Sequence, residues 1–251
     1  MEHSDLVSRY LVGSGVEIGA FKTPIPGIRP IYLDRFPKFA GEPTLADYYG
    51  DACELPFFDS SVSFVATSHV LEHVANPLLA LSEWFRVARH GGIIYMVLPD
   101  RRRTFDRMRP LTDPRHMLDD YRDRVTQADG THIDDFVFGV DWAIFSPSTS
   151  PGEEKGERDK LASVYRESVR AGYEINIHFH TFESESVVRL IEIGNLERVW
   201  KGRLKIVEII ERFPESNPIG FLVVAKVYKS AGLRWRALFS KKGLREDARK
   251  L

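Results

Sequence analysis

Cysteine is nearly absent. Cys53 is the only one in 251 residues, so no disulfide can close within the chain. A chain this long can bury a full core without disulfides or a structural metal, and a lone thiol fits a reducing, cytoplasmic setting. Long apolar runs are also missing: the greasiest stretches, 93–98 and 221–227, are of strand length, against roughly 18 residues for a bilayer span. The first ten residues carry Glu2, Asp5 and Arg9 and lack the apolar core of a signal peptide. Glycine is scarce where a dinucleotide site needs it. The segment after the first expected strand reads Gly19-Ala-Phe-Lys-Thr-Pro24, which argues against the Gly-x-Gly-x-x-Gly that cradles a pyrophosphate. No internal repeat is evident.

Neither sign of charge dominates, with 35 Lys and Arg against 36 Asp and Glu. The balance is uneven along the chain. From residue 231 onward seven basic residues face only Glu246 and Asp247, a net of +5 that leaves residues 1–230 at −6. An acidic body argues against nucleic acid as a partner, because such proteins spread positive charge over the main domain. The tail, 231–251, mixes bulky apolar and basic side chains. It reads equally as a docked C-terminal helix and as a peripheral contact with an anionic membrane.

Through the first hundred residues, short apolar runs alternate with helical spacing, the pattern of a doubly wound, mostly parallel α/β sheet. Strands are expected at 16–18, 30–34, weakly just before Gly50, at 63–68 and at 92–98. Between the last two, Asn76 is a plausible N-cap and Pro77 a first helical residue. Leu78, Leu81, Trp84, Phe85 and Ala88 then follow at helical spacing. Residues 101–175 break the rhythm and read as an insertion with helical pieces at about 114–126 and 157–171 and a Ser/Pro/Gly-rich loop at 146–152. A helix at 184–193 follows, and 205–213 with 220–228 form an antiparallel C-terminal hairpin. The main domain is thus 1–230 with its insertion at about 101–175, and 231–251 is the tail.

In such sheets ligands bind beyond the carboxyl ends of the strands, where the strand order reverses. Glu17, Gly19, Asp34, Asp51, Ser68, His69 and Asp100 all fall at those ends. A glycine there lets backbone approach a ligand, and an acid after the second strand can accept both hydroxyls of a ribose.

Five segments in this order resemble the class I S-adenosylmethionine-dependent methyltransferases: Val16-Glu-Ile-Gly19, Ile31-Tyr-Leu-Asp34, Gly50-Asp-Ala-Cys-Glu-Leu-Pro-Phe57, Ser63-Phe-Val-Ala-Thr-Ser-His-Val-Leu-Glu-His-Val74 and Gly91-Gly-Ile-Ile-Tyr-Met-Val-Leu-Pro-Asp100. The resemblance implies a seven-stranded Rossmann-like sheet and S-adenosyl-L-methionine as cofactor. It implies that Gly19 and Ala20 face the methionine part, that Glu17 supports its amino group and that Asp34 binds the ribose. Asp51, with the backbone at Ala52, would read the adenine, and His69 would line the pocket. The family usually has further glycines after the first strand; Phe21 and Lys22 stand there instead, so the loop must take another shape. A narrower resemblance, in Pro99-Asp-Arg-Arg-Arg-Thr-Phe-Asp-Arg-Met-Arg-Pro-Leu-Thr112, His116 with Asp120-Tyr121, and His178-Phe-His-Thr-Phe182, is to a bacterial subgroup found with glycosyltransferases and polysaccharide assembly. It implies transfer to a hydroxyl of a sugar, glycan-linked or other small acceptor.

For the chemistry, His180 or His178 is expected as general base, since neutral imidazole is available near pH 7, with Asp100 as its orienting partner or the base itself; His69 is a third candidate, placed rather in the lining of the cofactor pocket. The cluster Arg101, Arg102, Arg103, Arg107 and Arg109 reads as a solvated charge run or as recognition of an anionic acceptor. His69-Val-Leu-Glu-His73 also fits H-x-x-E-H, the pattern of a zinc hydrolase, but no metal is expected because the preceding run reads as a strand. A non-catalytic cofactor-binding protein and an RNA or protein methyltransferase are the other readings.

Overall fold

The computed structural model describes residues 1–39 and 41–230; the tail and its two readings lie outside them. Among the described residues there are nine strands: β1 Gly15–Ile18, β2 Ile31–Asp34, β3 Lys38–Phe39, β4 Glu42–Pro43, β5 Tyr48–Tyr49, β6 Val62–Ser68, β7 Ala88–Pro99, β8 Gly202–Phe213 and β9 Gly220–Lys229. Seven make one sheet in the order β5-β2-β1-β6-β7-β9-β8, and β3 and β4 form a separate small hairpin. The pairs from β5 to β7 are parallel, while β9 runs antiparallel to both β7 and β8. From β1 the order runs to β2 and β5 on one side and to β6 and β7 on the other. That reversal opens a crevice at the strands' carboxyl ends.

Alternation along the central strands sets the two faces. On β6, Val65 belongs to one core, and Phe64 and Ala66 to the other; on β7, Ile94, Met96 and Leu98 oppose Tyr95 and Val97. The first core is covered by α2 (Pro77–Val87) and α7 (Ser184–Leu196), the second by α1 (Ser4–Tyr10), which the sequence pattern did not reveal. Asn76 caps α2 by accepting from the Leu79 amide at 3.0 Å. Gly91 lies inside β7, at φ +79. It sits in a bulge where the β6–β7 register advances two residues on one strand and five on the other.

Between β7 and α7 lie α3 (Pro114–Asp123), α4 (Gly130–Gly139), α5 (Trp142–Phe145) and α6 (Glu154–Arg170). They bury a third core around Ile133, Phe136, Val137, Trp142 and Ala162. Among the described residues no helix is long and apolar enough to cross a membrane.

Candidate active site

A cleft of about 650 Å³ opens at the carboxyl ends of β1, β2, β5 and β6. Glu17, Gly19, Ala20, Asp34, Asp51, Ala52 and His69, the residues expected to hold a cofactor, all line it. The opposite wall comes from the insertion and the segment that leaves it, through Val125, Thr126, Gln127, Ala128, Tyr173 and Asn176.

Glu17 is 1 % exposed. Its Oε1 accepts from the Ile25 amide at 2.9 Å, and its Oε2 has no hydrogen-bond partner. Burial pushes the carboxyl up to about 7, against the pull of that amide. Gly19 sits at φ +71, and a Cβ there would lie 2.5 Å from Val70 Cγ2. Both facts require glycine. With no further glycines, the chain turns by placing Phe21 in the left-handed region (φ +48), with the Thr23 amide donating to Ala20 O at 2.9 Å. Phe21 packs edge-on against Phe39 of the small hairpin, 5.3 Å between ring centres.

Asp34 is buried at the end of β2, and its Oδ1 accepts only a long contact of 3.3 Å from the Phe36 amide. Asp51 is held more firmly. Its Oδ1 accepts from the Cys53 amide at 2.7 Å, and Arg35 pairs with both Asp51 and Glu174 of the opposite wall. The loop carrying Asp51 is fastened to α2, because Trp84 Nε1 donates to Ala52 O at 3.0 Å and the Leu55 amide donates to Glu83 at 2.6 Å.

His180, His178 and Asp100 do not line the cleft, which corrects the expectation that they carry the chemistry. His180 is fully buried, and burial depresses its pKa to about 3, so it has neither access nor basicity. His178 is buried with Nδ1 2.6 Å from Asp106 Oδ2. Asp100 caps the short 3-10 turn Arg101–Arg103, accepting from the Arg102 amide at 3.0 Å and from its guanidinium at 2.7 and 2.8 Å. Chain order puts Asp100 at a strand end, but its oxygens are spent on the turn that leads the chain away.

The arginines that follow are likewise paired. Arg101 meets Glu183 at 2.8 Å, Arg107 pairs with Asp141, and the buried Arg109 joins Asp106 at 2.7 Å and Asp135 at 2.6 Å. None of the five lines the cleft; its basic residues are Arg35 and Lys38.

The cleft's histidines are His69 and His73. His69 has φ +56, and residues Leu71–His73 form one 3-10 turn, so the two rings do not share a helical face as H-x-x-E-H chemistry requires. Glu72 points inward, fully buried, with Oε1 3.4 Å from His69 Nδ1. Burial works against protonating His69, yet this carboxylate holds its pKa above the ordinary histidine value. His73 Nδ1 lies 3.0 Å from Ile177 O, and burial keeps its pKa below the ordinary value. Sequence reasoning passed over the Glu72–His69 pairing, although three-residue spacing across a turn is its visible signal.

Comparison with known proteins bears on the same region. Residues 32–96 match the family model described as a methyltransferase domain. A probable S-adenosylmethionine-dependent methyltransferase of Mycolicibacterium smegmatis is 40 % identical over 53 residues, covering 21 % of each chain. An uncharacterized 37.1 kDa protein in a transposon of Streptomyces fradiae is 34 % identical over 97 residues, 35 % of this chain and 28 % of that one. The match thus spans about a quarter of the length of these curated relatives. Among solved structures, a SAM-dependent methyltransferase of Thermotoga maritima, titled a possible histamine N-methyltransferase, is 15 % identical with a TM-score of 0.46, over 89 % of this chain and 86 % of that one. From β2 into β7, the chain is thus similar in sequence to a methyltransferase domain.

Proposed function

We propose that the protein transfers a methyl group from S-adenosylmethionine to a hydroxyl of a sugar, a glycan-linked group or another small acceptor. The observation that carries the cofactor half is the convergence of Gly19, Asp34 and Asp51 on one cleft at the sheet's reversal point.

The residues present fit that cofactor. Glu17 Oε2, buried and unpartnered, is a receptor for an ammonium group. Asp34 has acceptor capacity to spare for two ribose hydroxyls, and Asp51 faces the same space once Arg35 gives way. When bound, S-adenosylmethionine supplies a methyl group on a positively charged sulfur, which is already a good leaving group.

The protein's own part is alignment and proton removal. Holding reactants at about 3–3.5 Å accounts for several kcal/mol of barrier reduction. His69 is the group suited to receive the acceptor proton: it lines the cleft, and its Nδ1 faces Glu72, which leaves Nε2 as the free nitrogen. Glu72 would hold the imidazolium that forms, the role of a carboxylate behind a catalytic histidine. Thr126, Gln127 and Asn176 offer neutral donors and acceptors, and Tyr173 a ring face, a combination suited to a hydroxylated acceptor.

Isothermal titration with S-adenosylmethionine, run alongside methyl transfer from labelled cofactor into sugar and glycan extracts, tests this reading. Binding that is lost in Asp34→Ala, together with label in a base-stable ether, supports it. Binding without transfer to any acceptor favours the cofactor-binding regulatory reading instead, and label in RNA or protein moves the acceptor class.

A further inference from the structure

Behind the acceptor wall, two buried imidazoles and a buried carboxylate meet a third imidazole at the surface. His116 and Asp120 come from α3, His132 from α4 and His180 from the segment before α7. Their ring centres are nearly equidistant, at 5.6 Å (His116–His132), 5.9 Å (His116–His180) and 5.7 Å (His132–His180). One ligand atom from each of the four residues lies within 4.8 Å of the other three. Asp120 Oδ2 is 3.5 Å from His116 Nε2 and 3.9 Å from His180 Nε2.

Burial makes this arrangement costly as it stands. Asp120, His132 and His180 are 6, 3 and 0 % exposed, and Asp120 Oδ2, His132 Nε2 and His180 Nδ1 have no hydrogen-bond partner. An unsatisfied buried polar atom costs about 1–3 kcal/mol, and three on the residues of one small cluster call for a partner. A water could satisfy some of them, but three nitrogens and an anionic oxygen are the donor set of a divalent transition metal. The surroundings agree. His132 Nδ1 lies 2.8 Å from Asp129 Oδ1, which fixes the tautomer so that Nε2 keeps its lone pair, the carboxylate–histidine arrangement found behind metal ligands.

We propose that His116, Asp120, His132 and His180 bind one divalent transition metal ion, zinc by preference, as a structural clamp. Ligand nitrogens about 2.0–2.1 Å from a tetrahedral zinc stand about 3.4 Å apart, so the four groups close in by an ångström or so on binding. None of the four lines the cleft, so the ion does no chemistry there. Its effect passes through neighbours. His180 Nε2 reaches Ala75 O at 3.3 Å, Asn76 Nδ2 donates to Asp120 O at 2.9 Å and to Val125 O at 3.2 Å, and Ala75, Asn76 and Val125 are wall residues. The ion would therefore pin α3, α4 and the 176–183 segment into the wall that faces the acceptor. The site replaces the expectation of no metal and gives His180 a ligand's role. It depends on no assumption about the acceptor.

The test uses the full chain. Metal content is measured by mass spectrometry as purified, then after chelation and titration with Zn²⁺ and with Co²⁺. The expected result is one equivalent per chain, micromolar or tighter binding, and cobalt d–d bands of four-coordinate intensity. Asp120→Asn and His132→Ala should each lose that equivalent. Should either fail to fold, His116→Gln, a change on the exposed side, should weaken binding at least tenfold with an unchanged circular dichroism spectrum. No binding by the chelated wild-type chain at 100 µM metal, or an equivalent retained at full affinity in His116→Gln and in whichever interior variant folds, overturns the proposal. Because the readout is metal content and cobalt spectra, a chain that binds no S-adenosylmethionine could still bind the ion.

Discussion

At the scale of single residues, Glu17 gives the sharpest pH signature. Its carboxyl titrates at about 7 in the free protein, because burial disfavours the charge. A ligand ammonium needs that charge, so binding pulls the proton off. Affinity for S-adenosylmethionine should rise with pH up to about 7 and level off above, losing up to tenfold per pH unit below. Titration calorimetry from pH 5.5 to 8.5 checks this, and Glu17→Gln should bind weakly with a flat profile. The His69–Glu72 pair makes a separate prediction. His69→Gln should slow turnover by about 10²–10⁴-fold while leaving the cofactor's dissociation constant within a few-fold. Glu72→Gln should shift the acid limb of the rate profile to lower pH, because the carboxylate is what holds the His69 pKa up.

At the scale of elements, Asn76 joins two units. Its side-chain oxygen caps α2, and its amide nitrogen satisfies two carbonyls around the end of α3. Asn76→Ala removes the cap and strands those carbonyls, so a loss of about 2–4 kcal/mol is expected by urea denaturation. Hydrogen exchange should show 114–123 losing protection before the central strands. α2 was legible from sequence because its cap, its proline and its apolar spacing are local. α4 was not: its apolar residues face α6 across the insertion's own core, and no local punctuation announces that partner.

For the whole molecule, the same carboxylate sets a stability slope. The folded pKa of Glu17 lies above its unfolded value of 4.5, so its contribution is fully present below pH 4.5 and is lost as pH rises to about 7. The span corresponds to about 3 kcal/mol. Without cofactor, the stability difference between Glu17→Gln and the wild-type chain should move by that amount in the variant's favour between pH 4.5 and 7.5, then stay level. Thermal unfolding of both proteins across that range checks it. A constant difference would mean that water reaches Glu17.

The strands of the sheet, α2 and the strand-end positions of Glu17, Gly19, Asp34, Asp51 and His69 were legible in local signals (apolar alternation, a cap, an acid or glycine where a strand stops), whereas Ala20 and Ala52 came only with the family resemblance. Folding, and not local sequence, sets what His180, His178 and Asp100 touch. Neighbourhood in the chain placed them near the chemistry, but side-chain direction depends on partners tens of residues away, Ala75, Asp106 and Asp120 among them. The same distance hid the four-residue cluster: 64 residues separate His116 from His180, and packing alone brings them together.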